Sequence, residues 1–369
     1  MNLKKFFLPL LATMVIGCSS DDGTVPAVKE KSPVNFTVIG QTENSVIQFA
    51  YDAGTTSGIT FNLTEELGVQ TNYLTLRQSG NLLSFYSFAN GSFSLQQKNL
   101  RTNETNNYDD FFANSPGRSV AWGINNQTNV FFGFFGPNSS RNLGIQDVAL
   151  NSADVNDITI DFDIDFVFQP VLFENKIFFA YRDNRGNYKF TFYNTLSKGG
   201  GPILNFGNFP ISFLVSDENT IVIIKNGVNP ILTHYDPETL SELDEVPLNF
   251  GTALNQGPVD AVLEADRLYY SRPTVQPAKL FAEPAIFDVT TQEDFQIDLK
   301  TIITQLEVDF GADVAINSIV YSASKRIFLV GYSKLLQTEV AGGILQISPE
   351  GELIENIEVD FLPAFFVKG

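Results

Sequence analysis

The residues able to do chemistry are few in kind. Cys18 is the only cysteine and His234 the only histidine among 369 residues. Serine–histidine or cysteine–histidine catalysis would therefore have to pass through His234, and a zinc site of the usual His/Cys type is excluded by arithmetic. His234 falls in an apolar strand pattern beside the turn Asp236-Pro237 and reads as structural. The stretch "DFDIDF" places Asp161, Asp163 and Asp165 on alternate positions. On one continuous strand these carboxylates would repel at a spacing of about 6.6 Å. Calcium would relieve that repulsion, as would a basic partner or simple solvation at a sheet edge. Calcium wants further oxygen ligands that the pattern does not supply. Carboxylates are plentiful, but no pair stands out at glycosidase spacing. "SKGGGP" (197–202) lacks the spacing of a phosphate-binding loop and reads as a turn. The cations Arg118, Arg141, Arg182, Arg185, Lys225, Arg272, Lys279 and Lys334, with the rings of Phe281 and Tyr332, form a last set, whose meaning depends on the elements that hold them.

Those elements are strands. Short runs rich in Val, Ile, Phe and Tyr, bounded by Gly, Asn, Asp and Pro, recur along the chain, and long amphipathic helix patterns are hard to find. Seven runs look alike: "NSVIQFAYD" (44–52), "GNLLSFYSF" (80–88), "QTNVFFGFF" (127–135), "ENKIFFAYR" (174–182), "ENTIVIIKN" (218–226), "ADRLYYSRP" (265–273) and "SKRIFLVGY" (324–332). Anchored on Val46, Leu82, Val130, Ile177, Ile221, Leu268 and Ile327, the steps are 36, 48, 47, 44, 47 and 59 residues. A second strand follows each anchor and another precedes most of them. A period of about 40–50 residues holding about four strands marks a propeller blade. The reading is an all-β, seven-bladed β-propeller of four-stranded antiparallel blades over residues 34–369, with the 34 phenylalanines filling the layers between blades. Val34–Ile39 is expected to close the ring by adding a strand to the last blade. A β-sandwich or two smaller β domains are the alternatives.

On a propeller, the loops joining second to third strands and the loops joining blades share one face. The first set is expected at 51–58, 87–92, 135–142, 181–187, 225–229, 271–284 and 331–343. These loops carry seven of the eight cations above against Asp52, Asp183, Glu283 and Glu339, a local +3, and Arg118 joins them from a between-blade loop. Tyr51, Tyr181, Phe281 and Tyr332 would add ring faces. Such a mouth suits an anionic ligand, since arginine pairs with planar oxyanions and stacks on rings. The bland alternative is a scatter of solvated surface charges.

The N-terminus has its own logic. Lys4 and Lys5 precede an apolar run from Phe6 to Ile16, and Gly17-Cys18 follows. The run is about 16 Å long as a helix, too short to span a bilayer. Charge, core and Gly17-Cys18 together resemble a bacterial lipobox. The resemblance implies a signal peptide over 1–17, diacylglycerol and an N-acyl chain on Cys18, no other cofactor, and a lipidated flexible tether over 18–33. More than one acyl chain gives stable anchoring. Ser19-Ser20-Asp21-Asp22 resembles the acidic export tag of Bacteroidota surface lipoproteins. It implies an outer-membrane, lipid-anchored protein exposed at the cell surface, with the periplasmic face as alternative. Removing 1–17 removes Lys4 and Lys5 and no acid, so 21 cations remain against 42 acids, a net −21. That balance argues against nucleic acid as a partner.

Tether and propeller together resemble the surface lipoproteins that capture ferric siderophores beside TonB-dependent transporters. The resemblance implies a non-enzymatic surface protein that binds an anionic ligand, such as a ferric siderophore, and passes it to an outer-membrane transporter. Two alternatives stand beside it: an accessory protein-binding subunit of an outer-membrane complex, and a propeller-type glycan-active enzyme.

Overall fold

The computed structural model describes residues 31–368 except 114–116, 137–138, 153, 250–253, 276 and 337–338. The expected signal peptide, Cys18 and the expected acidic tag lie outside the described residues. Strands order into seven sheets that are the seven blades. The second blade shows the plan: Thr75–Ser79 nearest the axis, then Leu82–Ala89, Ser92–Asn99 and, outermost, Thr105–Ala113, all antiparallel. The outermost strand of each blade leads to the innermost strand of the next. Two blades depart from the plan. In the fourth, two short segments, Ile164–Val167 and Val171–Phe173, share the inner position against Lys176–Asp183. In the fifth, Gly257–Pro258 pairs in parallel with Ile211–Val215.

The apolar runs are continuous because successive side chains point to opposite faces of a strand and both faces are covered. Ile177, Phe179 and Tyr181 pack toward the third blade, while Phe178 and Ala180 pack toward the fifth. Ile221 and Ile223 face the fourth blade, and Val222 and Ile224 face the sixth. The buried residues accordingly fall into seven clusters, one between each neighbouring pair of blades. Phenylalanine fills several of them. Phe132 lies 5.0 Å from Phe93 and 5.1 Å from Phe112, ring centre to ring centre, across the second and third blades.

Ring closure differs from the sequence-based expectation. Phe36–Gln41 does not extend the last blade. It lies in the first, between Val46–Asp52 and the C-terminal strand Leu362–Phe366, which takes the innermost place. The first blade is thus one strand from the end of the chain and three from its start. Val34 only touches the seventh blade, where its backbone N–H and C=O pair with the buried Gln346 amide at 2.7 and 3.0 Å. The anchor at Val46 is consequently one strand further from the axis than the other six. Counted from Phe36 to Leu82, the first step is 46 residues, in line with most of the rest.

A second difference is a helix. Leu299–Phe310 connects the sixth and seventh blades and explains the long last step. Asp298 caps its start by accepting from Thr301 N–H, and Gly311 ends it in the left-handed conformation. Leu299, Ile303 and Leu306 face the core of the sixth–seventh interface.

Candidate functional site

The blade-to-blade loops and the connections between second and third strands share one face. The cations expected to form a mouth do stand near it, and most are already engaged. Arg118 reaches Asp157 at 2.6 Å and covers the Phe134 ring. Arg182 pairs with Asp165, Lys279 with Glu307, and Lys334 with Glu358. Arg272 sits 2.7 Å from Asp294. Lys225 lies over Phe209 with 5.5 Å to the ring centre. Arg141 and Arg185 are exposed, and the backbone N–H of each is taken by a nearby side chain, Ser139 and Asp183. Phe281 is half exposed. Tyr332 is fully buried. Its hydroxyl donates to Asn356 at 2.9 Å, and burial pushes its pKa up to about 12. The local +3 of the loops vanishes because the carboxylate partners lie outside the counted segments, mostly on neighbouring strands. In addition, 51–58 joins the third and fourth strands of the first blade, so it belongs to the opposite face.

The acidic stripe is not one strand. Val155–Asp161 ends at Asp161, Asp163 takes a left-handed φ of 57°, and a new strand begins at Ile164. The three carboxylates part. Asp161 accepts from Tyr181 at 3.0 Å and Lys189 at 2.8 Å, Asp165 meets Arg182, and Asp163 is exposed. No group of three or more His, Cys, Asp or Glu able to hold a metal occurs among the described residues. His234 is tied by Nδ1 to Thr220 Oγ1 at 2.9 Å, and Thr220 in turn to Ser216, which fixes a turn of the fifth blade.

The opposite face carries the turns between first and second and between third and fourth strands. There a cleft of about 760 Å³ crosses the second, third and fourth blades. Its wall is built by the turns at Ser79–Leu82, Asn99–Glu104, Asn126–Gln127 and Leu172–Glu174. Turn chemistry explains why amides collect here. Asn99 Oδ1 accepts the N–H groups of Arg101 and Thr102, and Asn126 Oδ1 accepts those of Thr128 and Asn129. Other groups are uncommitted: the side chains of Asn81, Arg101, Asn106, Gln127 and Glu174 have no hydrogen-bond or ion-pair partner among the described residues. Among the described residues the Glu104 carboxylate accepts only from Thr102 Oγ1, at 3.0 Å. Leu82, Leu172 and Phe173 supply apolar surface. Sequence reasoning missed this site because Asn, Gln and Gly in turns read as turn formers, and only the ring of blades brings the four turns together.

No family description and no curated protein matches the chain. Solved structures do. A quinonprotein alcohol dehydrogenase-like protein from Bacteroides thetaiotaomicron superposes with a TM-score of 0.52 at 14% identity, over 91% of this chain and 79% of that one. A puromycin hydrolase superposes with a TM-score of 0.51 at 11% identity, over 91% of this chain and 55% of that one. This chain thus spans about half the length of the hydrolase. At these identities the likeness establishes the seven-bladed propeller fold. It also corrects the expectation of a non-enzymatic protein: the same scaffold occurs in proteins described as hydrolase and dehydrogenase-like, so the fold gives no ground for excluding catalysis. These structures do not tie the chain to Bacteroidota surface lipoproteins, siderophore capture or TonB-dependent transport. With five of the eight cations paired to carboxylates, the reading of a ligand-delivery protein is set aside.

Proposed function

We propose that the protein is a propeller-type glycan-active enzyme, with its substrate seated in the amide-lined cleft across the second to fourth blades. One observation carries this reading: uncommitted amides, a guanidinium and carboxylates converge in a cleft with apolar patches. Sugar hydroxyls both donate and accept, as amides do, and the apolar faces of sugar rings fit beside Phe173 and Leu172. Glu104 and Glu174 supply the two carboxylates that glycosidic cleavage uses. One protonates the leaving oxygen, and the other takes a proton from the attacking water or attacks the sugar itself. The lipid on Cys18 and the outer-membrane location belong to the same proposal, since an anchored enzyme would work on glycans at that surface.

The test is a panel of polysaccharides incubated with purified full-length protein, followed by reducing-end release. Glu174→Gln and Glu104→Gln are each expected to lower turnover by about 100-fold or more, with glycan binding retained. Cleavage unchanged in both variants, or neither binding nor cleavage of any polysaccharide, would overturn the reading.

A further inference from the structure

Beyond the cleft, one side chain near the axis is out of keeping with the rest of the protein. Arg77 lies on the innermost strand of the second blade, Thr75–Ser79. Its Nε donates to the Gly123 carbonyl of the third blade at 3.3 Å, and an Nη2 hydrogen goes to Gln169 at the inner edge of the fourth. Reaching from the second blade to the fourth places the guanidinium beside the axis. Most other cations near this ring have a carboxylate partner. Arg77 has none: both of its partners are neutral, and the one titratable group that acts on it electrostatically is Tyr86. Arginine has five N–H donors. Two are used, so three have no acceptor among the described residues.

The surroundings sharpen the point. By surface area Arg77 is only half buried, so water reaches it. Yet burial in the surrounding protein lowers its pKa below the ordinary arginine value. An arginine in such surroundings is costly to leave without a counter-charge. The next residues on its strand, Gln78 and Ser79, line the cleft, and Gln169 lies just before Leu172 and Phe173 of the same cleft. Arg77 and Gln169 therefore adjoin the inner side of the cleft.

We infer that Arg77 and Gln169 form a binding site for a small oxyanion on the axis of the propeller. A guanidinium with spare donors in fork geometry matches a phosphate, sulfate or carboxylate group, and such a group would supply the missing counter-charge. Free inorganic anion and a carboxylate carried by a sugar share this chemistry, and the site stands whether or not the cleft cleaves glycans.

The experiment is thermal unfolding of the full-length protein at constant ionic strength, titrated separately with sodium phosphate, sodium sulfate and sodium glucuronate. A ligand that binds only the folded state raises the midpoint with saturable dependence. A rise of a few degrees is expected with at least one probe, and at least a tenfold loss of apparent affinity in Arg77→Met. Without added oxyanion, Arg77→Met is expected to melt no lower than the parent, since it removes an uncompensated charge. A response to phosphate or sulfate assigns a free inorganic ion, and a response to glucuronate alone assigns a sugar-borne carboxylate. No response to any probe, or a full response in Arg77→Met, overturns the site. Should Arg77→Met fail to fold, Arg77→Lys keeps the charge with fewer donors; an unweakened response in it has the same consequence.

Discussion

Several aspartates on the surface of this propeller hold turns. Asp236 accepts the backbone N–H and the hydroxyl of Thr239, Asp288 the N–H of Thr291 and the Arg267 side chain, and Asp298 the hydroxyl and N–H of Thr301. These bonds favour the ionised form, so all three sit below the ordinary aspartate value. A depressed pKa in the folded state means stability that is present above the unfolded value, about 3.9, and lost as pH falls through the folded one. The melting temperature should therefore drop steeply below about pH 4, and the slope should flatten in Asp236→Asn; melts taken between pH 2.5 and 6 check this. The same scale shows why the binding face was misread. Arg272 and Lys334 were visible in the sequence, but Asp294 and Glu358, which neutralise them, stand 22 and 24 residues further on and meet them only in three dimensions. Glu174, one of the two carboxylates of the proposed chemistry, was visible only as the polar start of the run "ENKIFFAYR".

Among elements, the strands were legible and the junctions were not. A strand buried on both faces announces itself as an unbroken apolar run, as in "KIFFAY" and "TIVIIK". The helix Leu299–Phe310 did not, because its apolar positions, set three and four apart, are few and follow a strand-like stretch. The strand that completes the first blade lies more than 300 residues from its neighbours, so no local pattern pointed to it. Its seat depends on Gly40. A Cβ there would overlap the ring of Phe361 and the carbonyl of Leu362. Gly40→Ala should destabilise the protein by about 1–3 kcal/mol, seen as a lower urea midpoint with an unchanged slope. Gly68→Ala, whose Cβ would meet nothing, tests only the cost of a positive φ and separates that effect from overlap.

For the whole molecule, seven equivalent apolar layers make a rigid ring whose two faces differ. One face carries ion-paired loops, the other a cleft of free amides. Where the ring works is a matter for the segment ahead of it. If Cys18 carries the expected lipid, Cys18→Ala should move the protein from the membrane pellet to the soluble fraction, with loss of palmitate labelling, while the melting temperature of the propeller stays put. The first blade has one more implication, and it concerns time rather than energy. Its innermost strand, Leu362–Phe366, is synthesised after every other strand of the ring. Until then Phe36–Gln41 presents a bare edge to the axis, and the circle of blades stays open. Folding to the closed ring must wait for the synthesis of Leu362–Phe366, so a product that stops short of Leu362 is marked by an unpaired edge. The fold thus carries its own proof that translation reached the strand that closes the ring.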